Sequence, residues 1–147
     1  MIRPASPADM PALLEMAAAA HAESVQRDLP LNLGKVRANF LRWMAADLFL
    51  VAMRDGRPVG LLIGFVSPHW FSDALGAWDR LVYVRPEARG SRAAYVLYGA
   101  FREWARAKGA ADLWPGVSTG SAAGVALYRR LGLRDVGALF HESLSQM

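Results

Sequence analysis

The segment Leu81-Val82-Tyr83-Val84-Arg85-Pro86-Glu87-Ala88-Arg89-Gly90-Ser91-Arg92-Ala93-Ala94 constrains this chain more than any other stretch. An apolar run ends at Pro86, a short loop with arginine and glycine follows, and small residues open a helical pattern. Backbone N–H groups in the first turn of a helix lack intrahelical partners and carry partial positive charge, so such a turn is a ready phosphate site. Gly90, Ser91, Ala93 and Ala94 leave room for an anion to reach the backbone. The same residues also fit an ordinary strand-to-helix turn with exposed arginines, and local chemistry alone does not separate the two. Other phosphate loops are excluded: the chain has no Gly-x-x-x-x-Gly-Lys-Ser/Thr and no Gly-x-Gly-x-x-Gly.

Around this segment the pattern predicts a β-α-α-β-β-β-α-β-α-β order. Ile2–Pro4 reads as a strand, and Ser6-Pro7-Ala8-Asp9 as a capping box opening a helix over residues 8–22. Val36, Phe40, Trp43 and Met44 recur at helical spacing. Apolar runs at 48–53 and 59–66 flank Arg54-Asp55-Gly56-Arg57, a hairpin signal. Residues 67–75 read as a loop, 77–84 as a strand, and Ala94, Leu97, Phe101, Trp104 and Ala105 as one face of a long helix ending near Gly109. A strand at 112–117, a helix at 121–131 closed by Gly132, and a last strand at 135–144 finish the reading. With 147 residues, 54% of them hydrophobic, the expectation is one domain over 1–147. Its fold class is α/β: a central mixed, mostly antiparallel sheet with helices on both faces.

Two motifs make the chain resemble the GNAT superfamily of acetyl-CoA-dependent N-acetyltransferases. Arg89-Gly90-Ser91-Arg92-Ala93-Ala94 is similar to its pyrophosphate motif, Gln/Arg-x-x-Gly-x-Gly/Ala, and Leu81-Tyr83-Val84-Pro86-Glu87 to the strand entering it. Leu127-Tyr128-Arg129-Arg130-Leu131-Gly132-Leu133 resembles the family's closing Leu-Tyr-x-x-x-Gly-Phe. Arg92 departs from the usual glycine, Ser121 from a frequent asparagine, Gly124 from a common alanine and Leu133 from phenylalanine. The resemblance implies acetyl-CoA as co-substrate, held by the loop from Arg89 to Ala94, by the backbone of Val82, Tyr83 and Val84, and by Ser121. It also implies direct attack of a primary amine on the thioester in a ternary complex.

Such a transfer needs a neutral amine, stabilisation of the acyl oxygen and a proton for the departing thiolate. By the resemblance, a main-chain N–H on the strand faces the oxygen. Tyr128, at the family's tyrosine position, is the candidate acid; the alternative is a packing residue at the spacing Val125-Tyr128-Leu131. Asp79 lies where many relatives carry an acid and is the candidate base; the alternative is a surface carboxylate beside Arg80. His69 is the other candidate base, since an imidazole can exchange a proton near neutral pH. Trp70, Phe71 and Trp78 crowd the segment where an acceptor would enter, or else serve the core.

Gly116-Val117-Ser118-Thr119-Gly120 matches a hydrolase nucleophile elbow, with Asp135 and His141 following in hydrolase order. On one strand those two would stand roughly 20 Å apart, too far for a triad. A module that binds CoA without turnover is the principal alternative to an enzyme. A formal charge of +4 without a basic run argues against nucleic acid. The absence of cysteine excludes thiolate metal sites, and three dispersed histidines give no ligand spacing, so no metal is expected. No signal peptide or membrane-length apolar run is read in the sequence, so the expected setting is cytoplasmic, with a small-molecule or peptide amine as partner. A homodimer is an open arrangement, since relatives are often dimers.

Overall fold

The computed structural model of the chain describes residues 1–117 and 122–144. Strand β1 (Ile2–Pro4) leads into helices α1 (Met10–Glu23) and α2 (Leu33–Ala46), then strands β2 (Leu48–Arg54), β3 (Arg57–Pro68) and β4 (Leu75–Val84). Helix α3 (Ala93–Ala107), strand β5 (Asp112–Trp114) and helix α4 (Ala122–Arg130) follow. The strands form one sheet in the order β1-β2-β3-β4-β5, with only β4 and β5 parallel. This is the mixed, mostly antiparallel α/β architecture that the sequence predicts.

Alternation along β2 explains why helices cover both faces. Phe49 and Val51 enter one core with Met10, Leu13 and Met16 of α1 and Phe40 of α2. Leu50 and Ala52 enter a second core with Leu97, Phe101 and Ala105 of α3. Since successive strand residues face opposite sides, a sheet covered on both needs apolar residues at consecutive positions. Leu61, Leu62 and Ile63 on β3 supply them, and all three are fully buried. The β2–β3 hairpin turns at Asp55 and Gly56, both at positive φ (53° and 77°), the geometry that suits an Asp-Gly pair.

The start of α1 is anchored by charge. Arg3 donates to both carboxylate oxygens of buried Asp9 at 2.8 Å, and Asp9 also accepts from the Ser6 amide. A 3₁₀ turn at Pro7–Asp9 precedes α1, which begins at Met10, two residues later than the sequence suggests.

Two expectations at the sheet's far edge fail, for identifiable reasons. The strand expected at 112–117 ends at Trp114, because Pro115 has no N–H to give a ladder and the Gly116 amide turns to a side chain. The strand expected at 135–144 does not form: this stretch runs without regular structure. Leu139 and Phe140 are almost wholly exposed, and Asp135 is tied back to Arg129 at 2.6 Å. An apolar run without a neighbouring strand to pair with has little to stabilise it. Among the described residues, no helix is long and apolar enough to cross a membrane.

The packing gives a paired prediction. A Cβ on Gly64 would lie 2.6 Å from the ring of fully buried Phe101, whereas one on Gly99 of α3 would meet nothing within 4 Å. Gly64→Ala should therefore cost about 1–3 kcal/mol of stability. Gly99→Ala should add about 0.5–1 kcal/mol through helix propensity. Denaturant unfolding midpoints of the two variants check both signs.

Candidate active site

Strands β4 and β5 pair only from Gly76 to Trp78 against Asp112 to Trp114. Beyond that point β4 continues to Val84 while β5 has ended, which leaves one edge of β4 as an open cleft without a strand neighbour. Backbone groups on an unpaired strand edge are free to bond a ligand. Asp79 stands at the vertex, and its Oδ2 accepts from the Gly116 amide at 3.2 Å.

The direction in which Asp79 points is set by a bulge. Leu81 and Tyr83 pack with α1 and α2, Val82 and Val84 with the α3 core, yet odd-numbered Ala77 also packs with the α3 core. The parity changes where the β3–β4 register slips, between Ile63 opposite Leu81 and Gly64 opposite Asp79. Arg80 is the extra residue. Asp79 thus shares the cleft face with Ala77, and across it lies Tyr128 of α4, half-buried against the α3 core.

The two candidate catalytic groups are electrostatically coupled. Burial raises the Asp79 carboxyl above its ordinary range, opposed by its bond from Gly116. Burial also drives the Tyr128 hydroxyl far upward, followed by the charge of Asp79 and then by Tyr98. The Tyr98 ring packs against that of Tyr128, with centroids 5.5 Å apart. A neutral Asp79 therefore leaves Tyr128 a stronger acid than an ionised one does.

At the mouth of the cleft the loop after β4 forms an amide cradle. The amides of Gly90, Arg92, Ala94 and Tyr95 have no hydrogen-bond acceptor among the described residues. Gly90 sits at φ 83°, a conformation that favours glycine, and Ser91 Oγ takes the Ala93 amide. Arg92 lies over the Tyr95 ring and makes no ion pair among the described residues. These groups at the start of a 15-residue helix fit a pyrophosphate.

Arg89, the sequence's first candidate for a phosphate contact, is directed elsewhere. Its Nε donates to the Val84 carbonyl at 2.8 Å and its Nη2 to Glu23 at 2.7 Å. Tyr83 donates to the other oxygen of Glu23 at 2.7 Å, its own hydroxyl pushed up to about 12 by burial first and Glu23 second. Arg89 thereby ties the loop to the end of α1, a role not readable from the motif because Glu23 lies 66 positions away.

His69 faces Asp112 rather than the cleft: its Nε2 is 2.9 Å from Asp112 Oδ1, and the ring lies among Phe71, Trp78 and Trp114. This pair fastens the β3–β4 loop to the start of β5. Trp78 stacks on Phe65, while Trp70 and Phe71 are exposed at the loop tip. Ser121, and Ser118 to Gly120 of the hydrolase motif, lie outside the described residues. Asp135 of the hydrolase reading is engaged by Arg129. Among the described residues no metal-ligand group is assembled.

Comparisons with known proteins identify the family. The model of the acetyltransferase (GNAT) family matches residues 12–133, and the chain belongs to that family. An L-methionine sulfoximine/L-methionine sulfone acetyltransferase of Pseudomonas aeruginosa is 30% identical over 94% of this chain and 82% of its own. Among solved structures, a ribosomal-protein-alanine N-acetyltransferase from Brucella melitensis superposes with TM-score 0.75 at 28% identity, covering 93% of this chain and 86% of that one. An acetyltransferase from Trypanosoma brucei shares the fold at TM-score 0.74 and 21% identity, covering 98% and 99%. The chain is an acetyl-transferring enzyme of a family that uses acetyl-CoA as co-substrate.

The Glu23 contacts yield a pH-dependent prediction. Bonds from Tyr83 and then Arg89 hold the Glu23 carboxyl below its ordinary range. A depressed folded pKa adds stability above the unfolded value, near 4.3, and that stability is lost as pH falls through the folded value. Glu23 is 45% exposed, so Glu23→Gln should cost at most about 1 kcal/mol at pH 7. The gap from wild type should close by about pH 3, as read from urea unfolding at both pH values.

Proposed function

We propose that this chain, acting as one domain, transfers the acetyl group of acetyl-CoA to a primary amine, with Asp79 as base and Tyr128 as acid. The observation that carries the reading is the coupling of Asp79 and Tyr128 at the vertex of a cleft whose mouth is an amide cradle. Acetyl-CoA, when bound, supplies a thioester activated toward amines. The Gly90, Arg92, Ala94 and Tyr95 amides and the Arg92 guanidinium would hold its pyrophosphate, with Ser91 and Ala93 shaping the turn. Arg89 keeps the loop in register. The β4 edge at Val82, Tyr83 and Val84, where Arg89 already takes the Val84 carbonyl, would align the pantetheine arm, and Ser121 is proposed to contact the same arm.

The proton balance closes through the pair. As the amine nitrogen bonds the acyl carbon, Asp79 takes the N–H proton and becomes neutral. Loss of that like charge lowers the pKa of Tyr128, which then gives its proton to the departing sulfur as the C–S bond breaks. The proton on Asp79 returns to the Tyr128 oxygen, leaving both groups as they began. Main-chain N–H groups on the β4 edge meet the charge on the acyl oxygen.

The acceptor is proposed to be a small amine-bearing molecule, and the acceptors in the name of the Pseudomonas relative, L-methionine sulfoximine and L-methionine sulfone, are the first to try.

The test is thiol release from acetyl-CoA across an amine panel, measured against the amine-free rate. Asp79→Asn should lower the rate by about 10²-fold, and Tyr128→Phe by roughly 10²–10⁴-fold with little change in cofactor affinity. Arg92→Ala should weaken CoA binding about tenfold or more by calorimetry, through loss of a charge-assisted contact. Tight CoA binding without turnover on any amine would favour the CoA-binding module. Full activity in Tyr128→Phe would remove its hydroxyl from the chemistry.

A further inference from the structure

We infer that Arg80, which lies on the opposite face of the sheet from the cleft, is the positioning residue that aims Asp79. The inference builds on the reading of Asp79 as the base. Counting back along β4 from Val84 and Val82 in regular alternation, Arg80 would fall on the α3 face, the face on which Phe101 packs close over Gly64. Asp79 would fall on the α2 face, the face on which Asp47 binds Arg80. A slip of one residue exchanges the two side chains, as it does in any strand.

Two contacts hold the bulged alternative. The Arg80 guanidinium lies between two rings, 4.7 Å from the Trp43 centroid and 4.1 Å from that of Phe65. Its Nε and Nη2 donate to Asp47 Oδ2 at 3.3 and 3.1 Å. Asp47 is itself fixed as the residue that ends α2, its amide bonded to the Trp43 carbonyl at 2.8 Å. The side chains of Arg80 and Asp47 are only 31% and 18% exposed, so the clamp is partly shielded from water. The guanidinium is planar and satisfies stacking and hydrogen bonding together, which an ammonium does not. With Arg80 pinned on the α2 face, Asp79 turns into the cleft, where Gly116 and Tyr128 face it and Tyr98 stands behind Tyr128.

The experiment follows the Asp79 carboxyl by carbon-13 NMR titration in wild type, Arg80→Met and Arg80→Lys, with no ligand added. Arg80→Met keeps an apolar stem between the rings and removes the fork. The wild-type carboxyl is expected to titrate above the ordinary aspartate range, with the Gly116 amide shifting in step. In Arg80→Met the titration should move toward the ordinary value near 4, the Gly116 amide should cease to follow it, and calorimetric affinity for CoA should stay within about twofold. Arg80→Lys should fall between them. Asp47→Asn keeps an oxygen acceptor for Arg80 and serves as a second variant should Arg80→Met fail to fold. It should show a smaller shift in the same direction. An Asp79 titration and Gly116 coupling identical to wild type in either folded variant would overturn the inference. Because this readout needs no turnover, failure of the wild type to acetylate any amine would count against Asp79 as base and leave the control of its aim by Arg80 standing.

Discussion

Strand β5 stays beside β4 for three residues and then stops, and the organisation of the site depends on that separation. Pro115 enforces it by removing a donor that a continuing ladder would need. The edge of β4 from Asp79 to Val84 is left without a strand neighbour, and the Gly116 amide is free to bond Asp79. Had β5 followed β4 to its end, Asp79 would lose that bond and the cleft would be filled by backbone.

The separation also explains the charge behaviour at the vertex. Asp79 is sheltered by the α3 and α4 side of the sheet, so burial outweighs its single amide bond and its carboxyl rises. Tyr128 shares that shelter and responds to the charge on Asp79. A lone raised phenol is a poor acid for a thiolate. Coupled to a carboxyl that would become neutral in the proposed transfer, it would become a better one at the moment it is needed. The same sheet face thus supplies burial, a carboxyl and the phenol that senses its charge.

Much of this was legible in residues. The mixed order of strands and helices announced a sheet covered on both faces, Asp55-Gly56 marked the hairpin, and the small residues after Arg89 marked the helix start that carries the free amides. Asp79, just before the first motif, and Tyr128, within the second, were candidates by resemblance, and the fold sets them close enough to interact through charge. What escaped was long-range. The bulge at Arg80 depends on Trp43, Asp47 and Phe65, the turn of Arg89 on Glu23, and the place of His69 on Asp112. No local period reports such pairings. The last expected strand, 135–144, failed because apolar alternation states a capacity to pair and names no partner.

The central claim is that the start of α3 is an anion cradle serving a cleft with Asp79 at its vertex. Nitrogen-15 NMR of the protein titrated with CoA addresses it most directly. The account predicts that the amides of Gly90, Arg92, Ala94 and Tyr95 shift together and saturate with one binding constant, and that the Gly116 amide shifts with them as the pantetheine arm fills the cleft. Saturable CoA binding that leaves those loop amides unmoved, or no perturbation at millimolar CoA, would contradict it.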